Sequence, residues 1–494
     1  MKNLRSFLAC LLLLVAMQTF FAVPFLSIQQ AMGSAGIPGW SISLFFAVVV
    51  GLLVLRYHET ASTQLTAFAR LLTRMSATRW LALMIVFGLA LRILWFLVFP
   101  ASPSSDSATY ITLATGLSQG EPYHIANTWA FWPPGYPLFL SFWFMIFGPS
   151  LLVVQIVNLG LFVGTLLVVY KLAGKVADEP TARLSTLFLT FWPSYMTWAG
   201  LPAKEQVLIF IIPCTLLLFL SATRGQTVKG QLIPIVISGL LLGGATLIQP
   251  SMMLFPTVFI FTSILCRFQI PRTTGQIILL VFCMGLVVAP WTLRNYKVFD
   301  QFVLISTNSG SVLYRSNNPL ATGGYTPRGE IDLSGYGELE ADAMGKQLAK
   351  EWIRENPVQF FRLALQKQVR FLGDDSLGAY DTLRRGNLPV SSQTFYATKA
   401  ISNAFWLIAW ACIAVGILNI LRRRHSMEAP LLPLLVFCFF YLYALHSIVE
   451  SASKYHMPLI GIFAILASMS VYGAPGRDSH TNRDQADTGR TLHD

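Results

Sequence analysis

The sequence predicts an all-α polytopic membrane protein of about twelve transmembrane helices, with a mixed loop domain on one face, and three observations support this. Of 494 residues, 54% are hydrophobic and 12% charged, with a mean hydropathy of +0.58; a soluble domain carries about 25% charged residues. Apolar runs long enough for spanning helices recur along the chain, and a helix satisfies its own backbone in hydrocarbon. Basic residues collect at alternate junctions between those runs, the asymmetry that orients helices by keeping Lys and Arg inside. The formal charge of +12 therefore reflects topology, and no nucleic-acid partner is expected.

The spans fall at 6–26, 38–55, 80–100, 150–170, 183–199, 204–221, 231–248, 251–266, 275–293, 401–421, 430–448 and 456–472. The first opens after Lys2 and Arg5, as a signal peptide would, but no cleavage site stands out and an uncleaved anchor is expected. Residues 1–79 hold two spans plus the linker 57–78, where Leu65, Phe68, Leu71, Leu72 and Met75 recur at helical spacing beside Arg70 and Arg74; this is an amphipathic helix for the cytoplasmic surface. Residues 80–293 form the transmembrane core, with a first outer loop at 101–149. The run 137–148, PLFLSFWFMIFG, is too short to span and suits a re-entrant or interfacial helix. Residues 294–400 form a large outer loop domain, 401–472 the C-terminal spans and 473–494 a polar cytoplasmic tail.

With both termini inside, 19 of the 35 Lys and Arg residues are cytoplasmic, including Lys171, Lys175, Arg183, Arg224, Lys229, Arg267, Arg272 and the run Arg422 to Arg424. The long loop, with 13 basic and 11 acidic residues, is exempt because long loops translocate regardless of charge. Its early part, ISTNSGSVLYRSNNPLATGGY, is rich in Ser, Asn and Gly, which favour irregular backbone. A helix follows from about 338, and Pro357 opens a second, PVQFFRLALQKQVRFL, amphipathic enough to close over the membrane face. All six cysteines lie in apolar runs, so neither a disulfide framework nor a cysteine metal site is expected.

This topology gathers the few acids of the membrane half on the outer face. Asp106, in PSSDSATYITLATGLSQG, lies just past the run ending WFLVFP; Glu121 follows directly after that stretch. Glu205 lies in the turn GLPAKEQ, and Glu450 in HSIVESASKYHMP beside Lys454 and Tyr455. Asp106 and Glu205 each open a helical stretch, where acids favour the helix dipole; that structural role competes with a chemical one. His124 and His446 share the face, and with Glu205 they are the one candidate set for a divalent metal; no other cofactor is indicated. Trp129, Trp132 and Tyr136 suit an interfacial aromatic belt, with sugar stacking the alternative.

Seven segments, in order from about 80 to 472, resemble the GT-C glycosyltransferases of the protein O-mannosyltransferase-like and lipid A aminoarabinose-transferase-like group. They are DSATYITLATGLSQG with WPPGYPLFL, LPAKEQVLIF, LIQPSMMLFP, APWTLRNYKVFDQFVLISTNSGSVLYRSNNPLATGGY, WIRENPVQFFRLALQKQVRF and SKYHMPLIGIFAIL. The two N-terminal spans fall outside the resemblance. It implies a polyprenyl-phosphate-linked sugar donor and inverting transfer on the outer face, with Asp106 as base and Glu205 as a second acid. Two departures stand out. Eukaryotic protein mannosyltransferases carry Asp-Glu where this chain has Asp106-Ser107, and the aminoarabinose transferases carry Glu-Lys where it has only WPPGYP. Metal and donor-phosphate contacts of those relatives therefore do not carry over there.

The implied chemistry is physically coherent. A lipid phosphate presents its sugar at the interface, so a base belongs at the membrane lip; a positioned carboxylate contributes about 10²–10⁴-fold. The departing phosphate needs fixed cations, and the candidates are Arg92, Lys204, Arg294, Arg315 and Lys454, with Tyr455 beside them. Arg92 is intramembrane, where a cation is a functional hypothesis by default. The acceptor is a glycan, lipid or protein hydroxyl. The outer loop has no Asn-x-Ser/Thr site, which favours a bacterial inner membrane. The rivals are a twelve-helix secondary transporter, although no internal repeat is evident, and a non-catalytic scaffold that binds lipid-linked glycans.

Overall fold

The computed structural model describes residues 2–33, 36–266, 268–326, 329–385, 389–422 and 431–472. The polar tail 473–494, Arg267, Arg423 and Arg424 lie outside the described residues, as do the side chains of Lys2 and Arg5.

Two long helices open the chain, α1 (Lys2–Met32) and α2 (Gly36–Leu72). Gly39, Ser43, Ala47 and Gly51 are buried along one face of α2, and small residues at this spacing let two backbones approach closely. A Cβ on Gly51 would meet the Met17 side chain at 2.6 Å. The span and the surface helix expected on either side of residue 56 are one continuous helix. No Gly or Pro interrupts 52–72, and the far half packs on protein: Ser62 Oγ donates to Ser470 O at 2.7 Å.

Next comes α3 (Ala77–Val98), N-capped by Ser76, whose hydroxyl accepts from Arg79 N. The first loop holds α4 (Asp106–Ser118) and α5 (Gly135–Phe147). At 13 residues α5 is short, as its sequence implies. Gly135 lets it start against another helix end, because a Cβ there would lie 2.4 Å from Ile248 N. Beyond it run α6 (Leu151–Val176), α7 (Glu179–Phe191), capped by the Asp178 carboxylate, and α8 (Pro193–Thr197). The expected span 183–199 is thus broken at Trp192, because Pro193 has no N–H to donate and its ring clashes with the preceding turn. Protein surrounds this break: Trp192 and Tyr195 are fully buried.

The core continues with α9 (Lys204–Arg224), α10 (Val228–Ile248), a 3-10 turn at Pro250–Leu254, α11 (Pro256–Cys266) and α12 (Ile270–Phe299). The loop domain supplies α13 (Ser309–Ser316), α14 (Glu338–Glu355), α15 (Pro357–Leu372) and α16 (Leu377–Leu383). The chain then forms α17 (Ser392–Arg422), α18 (Leu432–Ile448) and α19 (Ile460–Ser468).

Among the described residues, nine helical stretches are long and apolar enough to cross a membrane, and three apolar helices are shorter: Gly135–Phe147, Pro250–Cys266 and Leu432–Ile448. Of the twelve spans read from sequence, nine correspond to the long helices, two to shorter ones, and one to the broken α7–α8 pair. The chain is an all-α, multi-pass membrane protein.

The loop domain is plugged into the bundle by residues 371–376. The fully buried Asp375 accepts from Trp192 Nε1 at 2.9 Å and lies 3.0 Å from His456 Nε2. Its backbone N–H donates to Asn403 Oδ1 at 2.8 Å. Trp406 donates to Leu372 O at 2.6 Å and stacks on His456, centroids 4.6 Å apart. The Asp375 carboxylate thus ties the α7–α8 break and the start of the last apolar stretch to the loop, and the backbone of Leu372 and Asp375 ties α17 to it. Lys367 of α15, also fully buried, donates to Asn317 Oδ1 at 2.9 Å and Ile448 O at 2.6 Å. The turn after α18 is held from above by these contacts.

A candidate active site at the loop end of the bundle

Asp106 opens α4 behind Ser105, whose backbone takes φ +52° and ψ −128°. This conformation favours glycine, and a serine held in it signals local strain maintained by its surroundings. Ser105 makes no side-chain capping bond. The Asp106 carboxylate points across to the final turn instead, where Lys454 Nζ donates to its Oδ2 at 3.2 Å. Burial by itself would raise the Asp106 pKa, but the charges of Lys454, Lys204 and Arg385 outweigh it and hold the carboxyl below its ordinary value.

Behind this pair lies a small recess lined by Glu205, Gln249, His446, Lys454 and Tyr455, with apolar side chains of α9, α18 and the 3-10 turns. Glu205 and Lys204 stand at the start of α9 because Pro202 ends the preceding turn. Lys204 donates to Gln249 Oε1 at 2.6 Å and lies within electrostatic reach of Glu205, Lys454, Asp106 and Glu450. Tyr455 donates to Glu450 Oε1 at 2.5 Å and stacks on His446 at 4.2 Å. The buried Tyr110 and Tyr136 pack 5.1 Å apart, edge to face, with Tyr110 within electrostatic reach of Asp106.

The structure therefore brings together Asp106, Lys204, Glu205, Lys454 and Tyr455 of the residues chosen from sequence. It puts three others elsewhere. Arg92 is fully buried in α3, donates to Gly88 O and Thr190 O, and lies 3.6 Å from the Phe162 ring centroid. Arg294 staples the first loop, donating to Trp129 O at 2.8 Å and Tyr123 O at 2.6 Å. Glu338 completes that staple, accepting from Trp129 N at 2.7 Å and Ala130 N at 2.8 Å. Arg315 lies over Tyr325 at 5.0 Å. Sequence reasoning did not single out Gln249, Asp381 or Arg385 as site residues. The last two come from α16 and its end, where nothing distinguishes them from the other charges of the long loop.

His446 and Glu205 both line the recess, but His124 packs at a tilt against Trp129, centroids 4.9 Å apart, beside the Arg294 staple. Among the described residues no group of three or more His, Cys, Asp or Glu side chains is placed to hold a metal ion. The proposed His124–His446–Glu205 set is therefore not assembled.

Residues 132–292 match the family described as dolichyl-phosphate-mannose-protein mannosyltransferase. No curated protein sequence matches the chain. Among solved structures, the apo oligosaccharyltransferase of Archaeoglobus fulgidus is similar in fold, with TM-score 0.50, 15% identity, and coverage of 84% of this chain and 52% of that one. The chain thus spans about half the length of the archaeal protein. ArnT from Cupriavidus metallidurans, bound to undecaprenyl phosphate, gives TM-score 0.43 and 16% identity over 85% of this chain and 82% of ArnT. The matched segment runs from the loop entering α5 to α12, the stretch that supplies Lys204, Glu205 and Gln249. The resemblance read from the sequence is thus borne out: the chain is a multi-pass membrane protein whose residues 132–292 match this mannosyltransferase family and whose fold resembles that of the archaeal oligosaccharyltransferase.

Proposed function

We propose that this protein is a membrane glycosyltransferase that moves a sugar from a polyprenyl-phosphate-linked donor to an acceptor hydroxyl, with inversion, at the loop end of the bundle. The observation that carries the reading is the Asp106–Lys454 pair at 3.2 Å, beside a recess lined by Lys454, Glu205 and Gln249, the last of which accepts from Lys204. The family match supports the lipid-linked donor. The loop end faces outward from a bacterial cytoplasmic membrane, with both termini inside. Basic side chains at the opposite end favour this orientation: Arg183 donates to Leu72 O and Met75 O, and Arg272 to Ala222 O and Gly225 O.

In the reaction, Lys454, Lys204 and Arg385 hold the donor phosphate. As Lys454 turns to the phosphate, Asp106 loses its counterion and its basicity recovers. The acceptor O–H proton passes to the Asp106 carboxylate, the acceptor oxygen bonds to the anomeric carbon, and the bond from that carbon to the phosphate oxygen breaks on the opposite face. The electron pair leaves with the lipid phosphate, stabilised by the same cations. Glu205, buried beside Lys204, orients that lysine and the acceptor.

Mass spectrometry of envelope glycans, glycolipids and glycoproteins in a deletion strain tests the reading. Deletion is expected to remove a sugar-sized mass increment and the gene to restore it. A deletion that leaves every increment in place but blocks uptake or export of a small solute would favour a transporter and overturn the proposal.

A further inference from the structure

Asp381 stands in α16, and its Oδ1 accepts from Arg385 Nη1 at 3.1 Å. The helix docks tightly on α8: a Cβ on Gly378 would meet Thr197 Oγ1 at 2.5 Å, and Thr382 Oγ1 donates to Thr197 O at 3.0 Å. This docking sets the Asp381 carboxylate beside Trp198 and leaves the side chain 16% exposed. Lys454 and Glu205 face it from the recess. From α17, Lys399 is committed to Asp374 at 2.9 Å. Burial pushes the Asp381 pKa up to about 6, while Arg385, Lys454 and Trp198 pull it down and Glu205 adds to the rise.

Charge balance gives this carboxylate a role. Asp106, Glu205, Asp381 and Glu450 share the cleft with Lys204, Arg385 and Lys454, four acids against three bases. Lys367, hydrogen-bonded to Ile448 O, lies within electrostatic reach of Glu450 from the loop side, and burial brings its pKa down to about 7. With every one of these groups ionised, the cleft sums to −1, or to 0 with Lys367 charged, before any ligand enters. A phosphodiester adds one negative charge, and the departing monoester up to one more. Accumulated like charge in a poorly solvated cleft favours proton uptake by the group nearest its titration range.

We propose that Asp381 is the charge-compensating residue of the phosphate subsite: arrival of the lipid phosphate draws a proton from solvent onto the Asp381 carboxylate, so anion affinity rises as pH falls. This rests on the donor reading above. It makes Asp381 a positioning residue that acts through Lys454 and Arg385.

The test is equilibrium binding of farnesyl methyl phosphate, a diester of one fixed charge, to the full-length protein in neutral detergent between pH 7.5 and 5.5. Wild type is expected to bind at least about tenfold more tightly at the lower pH, within the limit of tenfold per pH unit for one linked proton. Asp381→Asn is expected to bind at pH 7.5 about as wild type does at 5.5, with a flat profile, while Asp381→Glu keeps the slope. Lys454→Met is expected to weaken binding at every pH. If Asp381→Asn retains the wild-type slope while Lys454→Met weakens binding, the inference fails and the donor site stands; the slope then belongs to His446, Glu205 or Lys367. If EDTA removes the slope, a metal does the compensating and the inference fails. If the probe does not bind, or ignores Lys454→Met, the donor reading falls and the inference with it.

Discussion

Replacing Asp106 by Asn should separate chemistry from structure. The carboxylate is 42% exposed and its Lys454 partner 26%, at 3.2 Å. A partly exposed ion pair of this kind contributes about 0.2–1 kcal/mol. Because the folded carboxyl lies below its ordinary value, that contribution is fully present at pH 7. It is lost only as pH falls from the unfolded-chain value near 4 through the lower folded value. At pH 7 the Asn variant should therefore melt within about 2 °C of wild type in detergent, while glycan transfer falls by about 10²–10⁴-fold, the contribution of a positioned general base. The assay is the growth of the sugar-sized mass increment after induction in the deletion strain, at matched membrane levels, with a thermal melt of the purified variant beside it. An Asn variant that transfers at the wild-type rate would refute the base assignment. One that loses transfer only because it unfolds would make Asp106 a structural residue.

Other substitutions probe the frame around the site. Arg92→Met should leave glycan transfer intact and stability within about 2 kcal/mol, because the loss of its ring contact offsets relief of a buried cation. Nε and one terminal nitrogen of that cation have no protein partner among the described residues; loss of the mass increment at normal expression would restore Arg92 to the site. Asp375→Ala should cost about 3–5 kcal/mol in a thermal or denaturant melt, since it strands the buried Trp192 and His456, with Asp375→Asn milder. Gly135→Ala should cost about 1–3 kcal/mol through its clash with the Ile248 backbone, and an unchanged melting temperature would show that α5 is not tightly seated. Glu338→Gln should loosen the 121–132 loop, read as faster proteolysis there with little change in the core melt.

The sequence by itself determined the class and most of the elements. Long apolar runs must be helices in hydrocarbon, Pro357 and the 338–355 pattern placed α14 and α15, and few charges survive in the apolar half except where chemistry or pairing retains them. That scarcity is why Asp106, Lys204, Glu205 and Lys454 could be picked out. Local signals were weaker where partners matter: Pro193 breaks a span only because protein surrounds the break, and α2 continues past residue 56 because Ser470 receives its hydroxyl. The site itself was decided by tertiary structure. Asp106 and Lys454 are 348 residues apart, and their meeting depends on loop-domain contacts through Asp375 and Lys367 that have no periodicity to read. Arg92 and Arg294 looked equivalent to Lys454 as cations near an apolar run. Only packing shows that the first is enclosed by Phe162 and the second spends its donors on loop carbonyls. Asp381 and Arg385 were indistinguishable from the other charges of a balanced loop until the docking of α16 on α8 turned them into the cleft. Burial and distance, which sequence does not encode locally, decide which charges act together.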